Sequence, residues 1–188
     1  MRRRDLEHVL RAVCRIAETA EALVIGSQAI LGAYPEDALP PEAFSSIEVD
    51  IAFLDDDDDE RSNRVDGAIG ELSSFHETFG YYAQGVSVST AVLPPGWRDR
   101  LIVFDTPGTE PGRGLCLEPH DLVVSKLAAF RDKDREFGAA LLRAGLIDPD
   151  ILHARIAALD VHLAVRERMD AWLRTIRSAG VSDDGEQG

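Results

Sequence analysis

Two short stretches of this chain combine residue types that do phosphate and metal chemistry. An apolar run, Leu23-Val24-Ile25, ends in Gly26-Ser27, and a second apolar run further on carries Glu48-Val49-Asp50. A glycine-serine turn between a strand and a helix presents backbone N–H groups and a hydroxyl to a phosphate, with the helix N-terminus adding a favourable dipole. Acids two apart on a strand project from the same face. Two adjacent carboxylates repel unless a cation lies between them, and hard oxygen ligands suit Mg²⁺ taken up with substrate phosphates. Each half has an ordinary alternative, a plain turn or a solvated strand face. The alternation around the acids favours a site: Ile47, Val49 and Ile51 fall on one face, and Ser46, Glu48, Asp50 and Ala52 on the other.

The elements that must position these residues follow from spacing and punctuation. Leu6, Val9, Leu10, Val13, Ile16 and Ala17 fall at helical spacing, so residues 5–20 form an opening helix. Ala22–Ile25 reads as a buried strand, Gln28–Tyr34 as the helix after the turn, and Ser45–Leu54 as the carboxylate-bearing strand. Six consecutive acids, Asp55 to Glu60, precede a helix over Arg61–Leu72 and cap it rather than form a specific metal site. Tyr81–Val88, Leu101–Phe104 and Leu115–Leu117 read as strands. From Pro119 the apolar spacing continues as one helix to about Leu142, followed by a helix from Asp148-Pro149 and a last one over Asp160–Ile176. The implied fold class is α+β (α/β-like): a small mixed β-sheet core over residues 1–118, a helical C-terminal part over 119–179 packed on it, and a disordered tail over 180–188.

Composition narrows the classes. With 188 residues, of which 45% are apolar, the chain can bury a core, and no stretch is long and apolar enough to span a membrane. A soluble, cytoplasmic protein is expected. Cys14 and Cys116 lack metal-binding neighbours in sequence and read as buried, reduced thiols. The net charge of -14 opposes nucleic-acid binding, but it is uneven: residues 1–118 carry 10 basic and 22 acidic side chains, residues 119–179 carry 10 and 9. Arg131, Lys133, Arg135 and Arg143, with Arg166, Arg168, Arg174 and Arg177, form either a local basic surface or an ordinary mixed-charge one.

Lys126 stands in an otherwise apolar helical stretch, Val123 to Phe130. A lysine on a buried side needs an anion, because desolvating an ammonium costs several kcal/mol, on the order of the penalty for any buried ion. A triphosphate or the two acids would serve; the alternative is a lysine reaching along the helix edge to water. His76 and His120 read as structural, with orienting an acid or accepting a hydroxyl proton as the other possibility for His76.

Taken in order, Val24-Ile25-Gly26-Ser27-Gln28, Ser46-x-Glu48-x-Asp50, Ser74-Phe75-His76-Glu77-Thr78-Phe79-Gly80-Tyr81-Tyr82, and Leu117-Glu118-Pro119-His120-Asp121-Leu122 with Ser125-Lys126-Leu127 and Arg131-x-Lys133-Asp134 resemble a family of small bacterial nucleotidyltransferase-like proteins. That family belongs to the polymerase-β-like superfamily and is related to the AbiEii/MenT toxins of toxin-antitoxin systems. The resemblance covers roughly residues 20–146. It implies that Gly26 and Ser27 hold nucleotide phosphates, that Glu48 and Asp50 bind Mg²⁺, and that Lys126 contacts the triphosphate, with Arg131 beside it. Asp134 resembles the downstream acid of the toxin branch, at a shorter spacing. The superfamily usually has Asp at the position of Glu48, and its third acid has no clear counterpart; Asp105 is the nearest candidate. The implied activity is Mg²⁺-dependent transfer of a nucleoside monophosphate from an NTP to a hydroxyl. In the toxin branch the acceptor is the 3′ end of tRNA, and a cognate antitoxin protein is the expected partner. A small-molecule nucleotidyltransferase of the antibiotic-modifying kind, or a degenerate member that binds a nucleotide or partner without turnover, are the alternatives.

Overall fold

A computed structural model describes residues 1–183. The chain opens with α1 (Arg3–Ile16), whose Leu6, Val9, Leu10 and Val13 are all fully buried. Strand β1 (Glu21–Val24) follows, then a single 3-10 turn over Ser27–Ala29 that runs into the four-residue α2 (Ile30–Ala33). The short α3 (Pro41–Phe44) leads to β2 (Glu48–Ala52). Helices α4 (Glu60–Ile69) and α5 (Ser74–Phe79) precede β3 (Tyr82–Gly85), and two further strands, β4 (Ile102–Phe104) and β5 (Arg113–Cys116), complete the sheet. The helices α6 (Pro119–Ala129), α7 (Asp132–Arg143), α8 (Pro149–Ala157) and α9 (Leu163–Asp183) follow. The tail expected over 180–188 is helical through Asp183, and the rest of it lies outside the described residues.

The five strands form one mixed sheet in the order β3-β2-β1-β5-β4, which makes the fold α+β as the sequence implies. β1 is antiparallel to β2 and parallel to β5, while β2 is parallel to β3. The C-terminal end of β1 therefore meets the N-terminal end of β2, and the chain leaving β5 enters α6 at the same end of the sheet. Val49 and Ile51 are fully buried, whereas Glu48 and Asp50 are only partly so, which gives β2 one covered and one open face. Ile47 is 48% exposed because the strand starts after it, so the expected alternation begins one residue later.

Two local expectations change. The helix expected from Pro119 to about Leu142 is broken at Phe130, which adopts a left-handed conformation (φ 59°) as the C-cap of α6, and Arg131 returns in extended backbone to start α7. The apolar spacing runs through the break because both helices bury a face in the same core, so periodicity alone gave no sign of it. The helix expected after the glycine-serine turn begins with a 3-10 turn and ends by Ala33. So few aligned peptides provide little of the dipole that the turn was expected to offer a phosphate.

The acid run behaves as a cap. Asp56 accepts the backbone N–H of Arg61 and of Ser62, both at 2.9 Å, and Asp55 pairs with Arg61 at 2.7 Å. These backbone bonds, with the Ser62 hydroxyl and the Arg61 charge, hold the Asp56 carboxyl below the usual range against a burial that raises it. No cluster of three or more metal-ligating side chains occurs among the described residues, and none of their helices is long and apolar enough to cross a membrane.

Candidate functional site

The turn after β1 and the open face of β2 meet at one point. A Cβ on Gly26 would stand 1.7 Å from Asp50 Oδ2 and 2.6 Å from Asp50 Cγ, so a glycine is required there by close approach, with an ordinary φ of -88°. The backbone of the turn thus packs directly on the Asp50 carboxylate. Burial, followed by the hydrogen bond and negative charge of Glu48, pushes the Asp50 carboxyl up to about 6, although the nearby Lys126 and Lys133 draw it down. Two partly buried carboxylates side by side are a hard-oxygen donor set that a divalent cation suits. Glu48 and Asp50 therefore fit Mg²⁺ in number, charge and type.

The cation expected opposite the acids is present. Lys126, in the last turn of α6, has 15% of its side chain exposed, with its Nζ 3.6 Å from Asp134 Oδ1 and 4.9 Å from the centre of the Phe137 ring. Burial lowers its pKa, and Asp134 and Asp50 oppose that shift. It is held across the site by anions rather than stretched along the helix edge to water. Asp134 is only 1% exposed and is already engaged: besides Lys126, its Oδ2 accepts the backbone N–H of Arg131 at 3.2 Å and Arg131 Nε at 3.1 Å. It caps α7 and orients two cations, which leaves it poorly placed to ligate a metal as well. The Arg131 side chain is 66% exposed, at the mouth of the site.

Gly26, Glu48, Asp50, Lys126, Arg131 and Asp134 line one cavity of about 290 Å³. Ser27 does not. It lines an adjacent cavity of about 240 Å³ together with Ser46, Lys133 and Phe137, and Lys126 forms part of the wall of both. Six of the seven residues expected in the site thus share a single hollow, with Arg131 at its rim, and Ser27 stands next door. 

Asp105 is not the missing acid. It follows β4 on the far edge of the sheet, beyond the Phe104–Gly114 pair, whereas the site lies at the end marked by Cys116. The position in register with Asp50 on the neighbouring strand β3 is Gln84, an exposed neutral amide that also lines the cavity. Tyr82, two residues earlier, is in register with Glu48 and donates its hydroxyl to Glu48 Oε2 at 3.2 Å. Sequence reasoning did not single out either residue. Their alternation along a strand was visible, but which strand stands beside β2 was not.

His76 and His120, two of the five histidines, are both structural. His76 Nδ1 accepts the backbone N–H of Leu72 at 3.1 Å and its ring lies 4.7 Å from that of Tyr82. His120 Nδ1 bonds Glu118 while its Nε2 accepts the backbone N–H of Asp148 at 2.8 Å, which ties the start of α6 to the start of α8. Asp121 beside it is fully buried between Arg100, at 2.8 Å, and Arg155, at 3.3 Å. Both cysteines are buried, and burial pushes the Cys14 thiol up to about 11 and the Cys116 thiol up to about 12, so neither is a nucleophile. Of the later basic residues, Arg135 pairs with Asp132, Arg177 with Asp150, and Arg168 bonds the Ala128 carbonyl and covers the Phe130 ring. Those helices present a mixed-charge surface, with Arg131 and Lys133 facing the cavities.

A mixed sheet with a glycine-serine turn packed on paired carboxylates, and a lysine brought across from a following helix, defines a nucleotidyltransferase-like protein. The chain belongs to the family described as nucleotidyltransferase of unknown function (DUF6036), whose model matches residues 4–177. No curated protein and no solved structure matches it.

Proposed function

We propose that this protein transfers a nucleoside monophosphate from an NTP to a hydroxyl acceptor in a Mg²⁺-dependent reaction. The observation that carries this is the convergence of Glu48, Asp50 and Lys126 in one cavity whose floor is the Gly26 backbone. Glu48 and Asp50 would hold the metal. A metal held there would supply Lewis-acid stabilisation of the negative charge that develops on the phosphates during transfer.

The chain's own residues do the rest. Lys126, kept near 15% exposure and aimed by Asp134, supplies a fixed positive charge to the phosphates where water is partly excluded. Arg131 at the mouth, also held by Asp134, adds a second, more exposed one. Ser27 and Lys133 line the adjoining cavity and would offer a hydroxyl and an ammonium to the outer phosphates. The acceptor hydroxyl attacks the α-phosphorus in line with the departing oxygen, so that a new P–O bond forms as the bond to pyrophosphate breaks and the hydroxyl proton passes to solvent.

For the acceptor, the resemblance to the AbiEii/MenT toxins favours the tRNA 3′ end, a toxin role and a cognate antitoxin. The neutral Gln84 beside Asp50 favours a second reading, a member that binds nucleotide without turnover. Incubation with each labelled NTP, Mg²⁺ and total tRNA, beside an Asp50→Ala control, separates them. Labelled RNA that disappears in the control supports the first. Label on a small hydroxyl compound alone shifts the acceptor class to the antibiotic-modifying kind, and nucleotide binding without any labelled product supports the second reading.

A further inference from the structure

Glutamate at position 48 sets a geometric problem that the neighbouring strand answers. A glutamate carboxylate swings on one more rotatable bond than an aspartate's, so as a metal ligand it must be held or lose entropy on binding. β3 runs parallel to β2 with Tyr82 opposite Glu48, and the Tyr82 hydroxyl donates to Glu48 Oε2 at 3.2 Å. The tyrosine is itself fixed. It is 9% exposed, the His76 ring lies 4.7 Å from its own, and His76 is pinned by the Leu72 N–H at 3.1 Å.

We propose that Tyr82 is a positioning residue for the metal site: its hydroxyl ties down one oxygen of Glu48 and so presents the other beside the Asp50 carboxylate. This rests on the assignment of Glu48 and Asp50 as the Mg²⁺ ligands. The device is specific to glutamate. An aspartate at position 48 would draw its carboxylate back by roughly one C–C bond, about 1.5 Å, beyond hydrogen-bond reach of a hydroxyl already at 3.2 Å. Removing a hydrogen-bond partner of a metal ligand typically weakens metal binding by about 10- to 100-fold.

A double-mutant cycle tests this with Mn²⁺ as the probe, read by loss of the free-ion electron paramagnetic resonance signal. The proteins are wild type, Tyr82→Phe, Glu48→Asp, the double variant and Asp50→Ala, with melts in chelator to establish that each is folded. Tyr82→Phe is expected to weaken Mn²⁺ binding about tenfold or more beside Glu48, and by less than about twofold in the Glu48→Asp background. Equal losses in both backgrounds, or no loss in either, overturn the positioning role while leaving the metal site standing. Wild type that binds Mn²⁺ no better than Asp50→Ala overturns the metal assignment and the positioning role together.

Discussion

At the scale of single residues, Gly26 and Asp50 are one unit, because the glycine is there to make room for the carboxylate. Gly26→Ala places a methyl group where Asp50 Oδ2 now lies, 1.7 Å from the new carbon, and must push the carboxylate aside. Mn²⁺ binding and nucleotidyl transfer should both fall, transfer by about 100-fold, the usual cost of misplacing a catalytic group by about 1 Å. Asp50 also bears on stability. Burial first, and Glu48 second, raise its carboxyl to about 6 from an ordinary 3.8. A carboxyl raised on folding contributes its stability fully below about pH 3.8 and loses it as pH rises through about 6. In chelator at pH 7.5, Asp50→Asn should therefore melt above wild type, by about 2–4 °C if the gain is near 1 kcal/mol, and the difference should close below pH 4. Gly26, Glu48, Asp50 and Lys126 were legible from sequence because their types are unusual for their places. Tyr82 and Gln84 were not, since a tyrosine and a glutamine on a strand are unremarkable until the strand beside them is known.

Between elements, the junction of α6 and α7 decides where Lys126 points. In an unbroken helix two residues eight apart would stand about 12 Å from each other along the axis. The left-handed turn at Phe130 folds α7 back so that Lys126 Nζ and Asp134 Oδ1 are 3.6 Å apart. This accounts for the short spacing of the two in sequence. Their substitutions should separate: Asp134→Ala strands a largely buried ammonium and uncaps α7, and should cost about 3 kcal/mol in denaturant melts. Lys126→Met leaves Asp134 bonded to Arg131 and packs on Phe137, so stability should change by under about 1.5 kcal/mol while transfer falls about 100-fold or more. The longer helices were legible from their apolar spacing, whereas α3 and α5, only four and six residues long, were not; nor was the break, because Phe130 is neither glycine nor asparagine and the spacing passes through it unchanged. The strands were found in outline, but β2, β3 and β4 are shorter than expected while β1 and β5 start earlier, at Glu21 and Arg113, because pairing with a neighbour sets the limits.

Over the whole molecule, one hydrophobic cluster runs from Leu6 in α1 through the sheet to Met169 and Leu173 in α9. A sheet core and a helical half that share one interior should unfold together. Leu10→Ala and Leu173→Ala, at opposite ends of the chain and both almost fully buried, should each lower the stability of the same single transition, by about 2–5 kcal/mol. Two separable transitions, each moved by one variant, would show instead that the helical half melts independently. The class of fold was legible from the order of strands and helices; the sheet order was not, because it depends on which short strands pair across long intervals of chain. The wall between the two cavities has a thermodynamic corollary. Since Lys126 faces both, an anion in either draws on the same ammonium, and the two hollows cannot fill independently. Whatever occupancy of one does to affinity in the other, the reverse effect must be equal, so if the first hollow takes the nucleotide as proposed, added pyrophosphate should change nucleotide affinity by the same factor as nucleotide changes pyrophosphate affinity.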